Sequence, residues 1–429
     1  MSLMRSLYSG ATGLETNSLD LSVIGDNIAN ANTIGFKRGR AAFEAALSQT
    51  LIGSQGQIGL GAQLQAVQKI IAQGALTNTG LATDLALQGD GFFAVKGTAD
   101  GQSGTFYTRA GQFTLDKTGY LVNLDGLRVQ GFTADATGVL GTTGGDLLVG
   151  NAASSPLGTA NITLKANLQA DATIPAAWDG TSWTTAAATS NTSTGVKIYD
   201  SLGAEHQVQI YFRKTGAGAW EWHALTDGAG VQGGVAGTPS EIASGTLGFD
   251  TSGKLTAVTQ AGTFNPVGAT QPQALTFNFG TPTPGGTGLD GITQFAGASA
   301  TSFVGQDGYG SGSLSSISID SEGKVTGAFS NGTSRVLAQV GVATFAAQDK
   351  LEGAVGNLYR QTSDSGDPSF GAPGTGGRAS VVAGALEQSN VDLASEFVRM
   401  IAAQRGFEAN SKTLQTADQL LSELIAIKR

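Results

Sequence analysis

One stretch has the spacing of a dinucleotide-binding loop: Gly228, Gly230 and Gly233 form Gly-x-Gly-x-x-Gly directly after the strand-like run WEWHAL. In such a loop the glycines let the backbone approach a pyrophosphate seated on the N-terminus of the next helix. Here GVAGTPSE follows, which opens no helix, so a plain glycine loop is the better reading. Neither a Gly-x-Ser-x-Gly elbow nor a Gly-Lys-Ser/Thr phosphate loop occurs, which removes the usual anchors of hydrolase and nucleotide chemistry. His206 and His223 are the only imidazoles and there is no cysteine, so a zinc site would have to draw its other ligands from carboxylates. His206 continues an apolar strand face and His223 follows Trp222, so both read as packed or edge histidines. Repeated Asp-x-x-Gly sequences lack the acid ladder and closing Glu of a calcium loop. With no convergent acid, base or nucleophile, the expectation is a protein that is not an enzyme and holds no cofactor or metal.

The 429 residues carry 24 basic and 33 acidic side chains, a net charge of −9, and only 13% of positions are charged. So few scattered Lys and Arg cannot neutralise many phosphates, which argues against nucleic acid as a partner. No apolar run is long enough for a membrane span, and the start MSLMRSLYSGATGLETNSLD lacks the apolar core of a Sec signal. Zero cysteines rules out a disulfide scaffold. The length suggests about three domains.

The rare residues divide the chain. All nine prolines lie between Pro156 and Pro373 and all four tryptophans between Trp178 and Trp222, so the ends differ from the middle. Leu7, Leu14, Leu21 and Ile28 recur by sevens, as do Leu393, Met400, Phe407, Leu414 and Leu421, with Phe397 and Leu424 on neighbouring stripes. These are heptad seams of coiled-coil type. The last one predicts a helix from about Ser389 to Ile427, capped by Ser389 or Asn390 and roughly 55 to 60 Å long. Its only partner of matching pattern within the chain is the N-terminal segment, where Gly10, Gly13 and Gly25 each cost about 1 kcal/mol relative to Ala. Both ends therefore look built to be completed by other copies of the chain.

Between the ends the period changes from seven to two, as in Val336 to Phe345 and His206 to Phe212. Asp-x-x-Gly recurs at Asp116, Asp135, Asp200, Asp250 and Asp320, a turn in which Asp accepts from amides and Gly takes positive φ. The expected fold class is α+β multidomain: terminal coiled-coil helices paired as a core domain, with two antiparallel all-β domains nested between them.

Three segments carry a resemblance. Leu7 to Arg38, with the core Asn27-Ile-Ala-Asn30-Ala-Asn32-Thr-Ile-Gly35-Phe36-Lys37, resembles the N-terminal motif of bacterial flagellar rod and hook proteins. LQGDGFFAV with Tyr107 to Phe132 is similar to the first β region of that family, and Ala385 to Arg429 to its C-terminal helix. Distal rod members are shorter and lack an inserted β domain, which here would span 161–300, so the resemblance points to the hook-forming member. It implies residues 1–30 with 389–429 as a helical core, 31–80 with 371–388 as a linking and bracing segment, 81–160 with 301–370 as a first β domain, and 161–300 as an outer one. It further implies a self-assembling helical tube that transmits torque as a bendable joint. The expected partners are copies of itself, the distal rod, the hook cap, the hook–filament junction and the type III export apparatus, and the expected location is extracellular, in the flagellum, without a cleaved Sec signal. The rival readings are a distal rod or hook-associated axial protein, and a secreted β-rich adhesin that would stack ligands on Trp178, Trp183, Trp220 and Trp222.

Overall fold

A computed structural model describes residues 2–46, 49–50, 57–58 and 61–427. The chain divides into two compact units, one holding the described residues up to Ala152 with Ser315–Ala328 and those from Ser334 on, the other Ala153–Leu314 with Phe329–Thr333.

In the first unit the N-terminal helix Ser2–Ala29 packs antiparallel to the C-terminal helix Leu393–Ile427. The 35 residues of the latter span about 53 Å, and it runs unbroken through Gly406. It starts later than the capping residues predicted: Asp392 closes its first turn, accepting from Ala394 N at 3.0 Å. Asn390 is drawn off to other work, bonding Arg38 N, Ile70 O and Ala72 O.

A two-stranded hairpin, Gly39–Ala45 with Ala62–Lys69, lies along the other side of the N-terminal helix. Glycine permits this approach: a Cβ on Gly61 would collide with Thr12, and one on Gly39 would stand 3.3 Å from Val23. Two short ladders then tie the two halves of the chain together, Leu76–Asn78 with Ala385–Glu387 and Leu85–Gln88 with Ser380–Ala383. Beyond them Phe92–Ala99 pairs with Gln102–Thr108 and Arg128–Ala134, which in turn pairs with Ser334–Val340. Phe92–Ala99 is covered on both faces at its start, so Phe92, Phe93 and Val95 are all wholly inside, as are Phe106, Val129 and Val340.

The second unit is built on a five-stranded antiparallel meander from Thr192–Tyr199 to Leu255–Val258. Its core closes on a three-stranded sheet centred on Asn161–Asn167. One of those ladders is parallel, Asn161–Asn167 with Thr276–Asn278, because the whole meander separates the two strands in sequence and serves as the crossover a parallel pair needs. Trp220 and Trp222 are 1% and 0% exposed in this core, so the tryptophans do not form a shared stacking surface. Trp178 instead lies flat on His223 at 4.1 Å between ring centroids.

All five predicted Asp-x-x-Gly turns form with one geometry. Asp116, Asp135, Asp200, Asp250 and Asp320 each accept through Oδ1 from the amides two and four residues on, and each glycine has φ between 72° and 88°. The Thr118 and Thr137 hydroxyls, with turn amides, hold the Asp116 and Asp135 carboxyls below the ordinary aspartate value. A carboxyl lowered by folding stabilises the fold above its unfolded value and loses that contribution as pH falls through the folded one. Urea midpoints measured at stepped pH should therefore decline as pH drops below the unfolded value of 3.8, and Asp135→Asn should flatten part of that decline.

Candidate functional site

The segment 27–37 turns the end of the N-terminal helix into the β structure, and most of its side chains are fixed. Asn27 is wholly buried, giving Nδ2 to Gly39 O at 2.9 Å and taking Gly39 N on Oδ1 at 2.8 Å. It also reaches Glu396 Oε2 of the C-terminal helix at 3.2 Å. Asn30 bonds Asp26 and receives the Thr33 hydroxyl, whereas Asn32 is exposed. Gly35 has φ of 70°, and a Cβ there would stand 2.5 Å from Ala110 N, so no other residue fits that bend. Phe36 is buried beneath the Lys69 ammonium.

Lys37 makes the central contact. Its ammonium, with no exposure, meets Glu387 Oε1 and Ala72 O. The other Glu387 oxygen takes Arg109 Nη1 at 3.2 Å, and Gly74 N donates to Oε1 at 2.8 Å. Arg109 continues to Gly89 O at 2.8 Å. Burial pulls the Lys37 ammonium below the ordinary lysine value, and Glu387 opposes that shift. Burial likewise pushes the neighbouring Tyr359 hydroxyl up to about 12. A second cluster lies one helical turn into the C-terminal helix, where buried Glu396 faces Arg38 at 3.8 Å and Arg399 at 3.6 Å. Burial raises the nearby Asp20 carboxyl, with Arg399 acting against that rise.

The heptad residues occupy a different place from these charges. Leu7, Leu14, Leu21, Ile28, Met400, Leu414 and Leu421 are half-buried. Leu393, Phe397 and Phe407 are exposed at 43%, 49% and 40%, beside Ile401 at 58%. The Leu424 side chain lies outside the described residues. The seam between the two helices runs largely through small and polar residues, Gly10, Gly13, Asn17 and Asn27 on one side and Glu396, Ala403 and Asn410 on the other, with Ile24 buried at 2% exposure and Leu414 lying over Gly10. Apolar periodicity reveals only those last two contacts. Glu387 could have been noticed as the one charge ending the apolar run from Val381 in a chain so poor in charges.

The other candidate chemistry resolves into structure. Gly228–Gly230 form a single 3-10 turn capped by Asp227, and no helix follows. His206 packs edge-on against Phe264. Among the described residues no three acidic or histidine side chains gather as a metal site.

The chain has relatives in sequence. Four family models match along the chain: Flagella basal body rod protein at 7–37, Flagellar hook protein FlgE/F/G D1 domain at 86–184, Flagellar basal body protein FlaE D2 domain at 167–309, and Flagellar basal body rod FlgEFG protein C-terminal at 382–427. The Flagellar hook protein FlgE of Treponema pallidum (strain Nichols) is 34% identical, covering 100% of both chains. That of Borreliella burgdorferi is 35% identical, over 99% of this chain and 100% of the relative.

The chain belongs to the flagellar hook protein family.

The hook protein of Salmonella typhimurium is 33% identical over 99% of this chain and 100% of its own length. A crystal structure of the Helicobacter pylori flagellar hook protein FlgE2 aligns with a TM-score of 0.47 at 15% identity, over 71% of this chain and 98% of that one. As a hook protein the chain is a structural subunit that assembles with its own copies in the flagellum. Within the subunit, Lys37→Met would leave the buried Glu387 carboxylate with Arg109 as its one cationic partner among the described residues. Removing one member of a buried ion cluster costs about 3–5 kcal/mol, so the expected result is a clearly lowered urea midpoint, with surface Lys117→Met as the neutral control.

Proposed function

We propose that this hook subunit polymerises through its terminal helices into a flexible helical tube that acts as a universal joint, passing torque from the motor and rod to the filament. The observation that carries this reading is the row of large apolar side chains left uncovered on the C-terminal helix: Leu393, Phe397, Ile401 and Phe407. Fully burying each side chain of this kind is worth about 1.5–3 kcal/mol, and a second copy of the chain is the natural cover in a family that self-assembles. Contacts between unlike faces of identical subunits that do not close into a ring produce an open helical polymer.

On this reading Leu7, Leu14, Leu21, Ile28, Leu393, Phe397, Met400, Phe407, Leu414, Leu421 and Leu424 belong to the cohesive inner core, residues 1–30 with 389–429. Residues 31–80 with 371–388 brace neighbours. The β domains, 81–160 with 301–370 and 161–300, lie outside, where weak and wet polar contacts let subunits slide as the tube bends. The distal rod, hook cap, hook–filament junction and type III export apparatus are its partners, and the subunit lies outside the cell in the flagellum. Among the described residues no helix is long and apolar enough to cross a membrane. A structural subunit needs no catalytic centre, and we assign it none.

Electron microscopy of purified protein under polymerising salt tests this. The full chain should form tubes, and a version lacking 1–30 and 391–429 should form none. Phe397→Asp, at an exposed site, should keep the monomer's circular dichroism and abolish tubes. Tubes from either altered form would refute the assignment of the core.

A further inference from the structure

The two terminal helices meet through a reciprocal fit. Asn410 of the C-terminal helix lies over Gly13, where a Cβ would stand 2.5 Å from its Nδ2 and 2.8 Å from its Cγ. Asn17 of the N-terminal helix lies over Gly406, where a Cβ would stand 2.7 Å from its Oδ1. Asn17 is held in that pose by its own helix, giving Nδ2 to Gly13 O at 2.6 Å. Each helix thus offers one amide and one notch, four residues apart, and the two pairs fall on one antiparallel register with Asn27 and Glu396 further along it.

Hydrophobicity alone would favour a different arrangement. Positions three apart on a helix lie about 60° from one face line. Turning the C-terminal helix by about that much would centre Leu393, Met400, Phe407, Leu414 and Leu421 on the N-terminal helix. Phe397 would become covered at the flank. The isolated subunit would gain buried apolar area and lose its outward stripe. In the observed arrangement Ala403 and Ala417 face inward at 5% and 4% exposure, while Phe397 and Ile401 face out at 49% and 58%. A polar residue at one position of a helix seam sets register at a cost in stability. Moving an asparagine off its glycine would carry the amide onto neighbouring residues that have a Cβ where the glycine has none.

We propose that the Asn410–Gly13 and Asn17–Gly406 pairs are a rotational and axial lock that keeps the apolar stripe of the C-terminal helix turned outward for a second copy of the chain. The inference rests on the reading of that stripe as the assembly surface.

A size swap tests it. Gly13→Asn alone sets two amides against each other, and Asn410→Gly alone empties the notch. Each should reduce tube yield from the purified full chain at least tenfold, and the double exchange should restore it. Gly13→Asn combined with Asn17→Gly, the wrong partner, should not. Harmless single variants, no rescue by the matched exchange, or equal rescue by the mismatched one would each overturn the lock.

The chain has no cysteine, so a disulfide placed off the two pairs gives a second readout independent of tube yield. Asp20→Cys with Ala403→Cys, on the same register between the two pairs and the Asn27–Glu396 contact, should oxidise to an intrachain bond, and adding Gly13→Asn should weaken that bonding. Equal bonding with and without Gly13→Asn would also overturn the lock. If Phe397→Asp still forms tubes while Gly13→Asn weakens the 20–403 bond, the assembly reading fails and the lock stands as a feature of the subunit alone.

Discussion

Glu387 has its carboxylate fully buried, and a buried charge persists only where enough donors surround it. Those donors come from far apart: Lys37 near the start of the chain, Gly74 after the hairpin, and Arg109 in the first β region. Satisfying one side chain therefore requires that four separate stretches be in place together. The ladders of Leu76–Asn78 with Ala385–Glu387 and of Leu85–Gln88 with Ser380–Ala383 run through the same spot. The cluster joins the last β strand, and so the start of the C-terminal helix six residues on, to the body of the first unit.

The helices themselves accept a poor seam within the subunit. Many of their inward residues are Gly, Ala and Asn, which allow close backbone approach; Ile24 is buried and Leu414 packs over Gly10, while Leu393, Phe397, Ile401 and Phe407 are left outside. For an isolated protein this would squander stability. For a member of a self-assembling family it divides the work, with close fit setting geometry inside one subunit and apolar cover supplied by its neighbours. The glycines that lower helix propensity at positions 10 and 13 thereby acquire a packing reason, and Gly25, with open space around it, has none in the subunit.

The second unit is independent of this economy. It has its own aromatic core around Phe212, Trp220, Trp222, Phe277 and Phe279, and its turns are closed by aspartates that accept from amides of their own loops.

Several features were decided by local rules and are legible in the residues alone. The helices at both ends, the strands between them and the Asp-x-x-Gly turns each depend on a few neighbours along the chain, and all three form. Gly35 and Lys37 also stand out, as parts of a motif, although nothing nearby in sequence says why. Only the tertiary structure supplies Glu387 as the partner of Lys37, sends Asn390 away from the helix cap, seats Trp220 and Trp222 in a core, and sets Asn17 and Asn410 on glycines of the opposite helix. Those outcomes depend on which surfaces meet across hundreds of residues. Apolar periodicity marks a helix stripe as wanting cover; whether its own chain or another copy provides that cover is decided by steric fit at the seam.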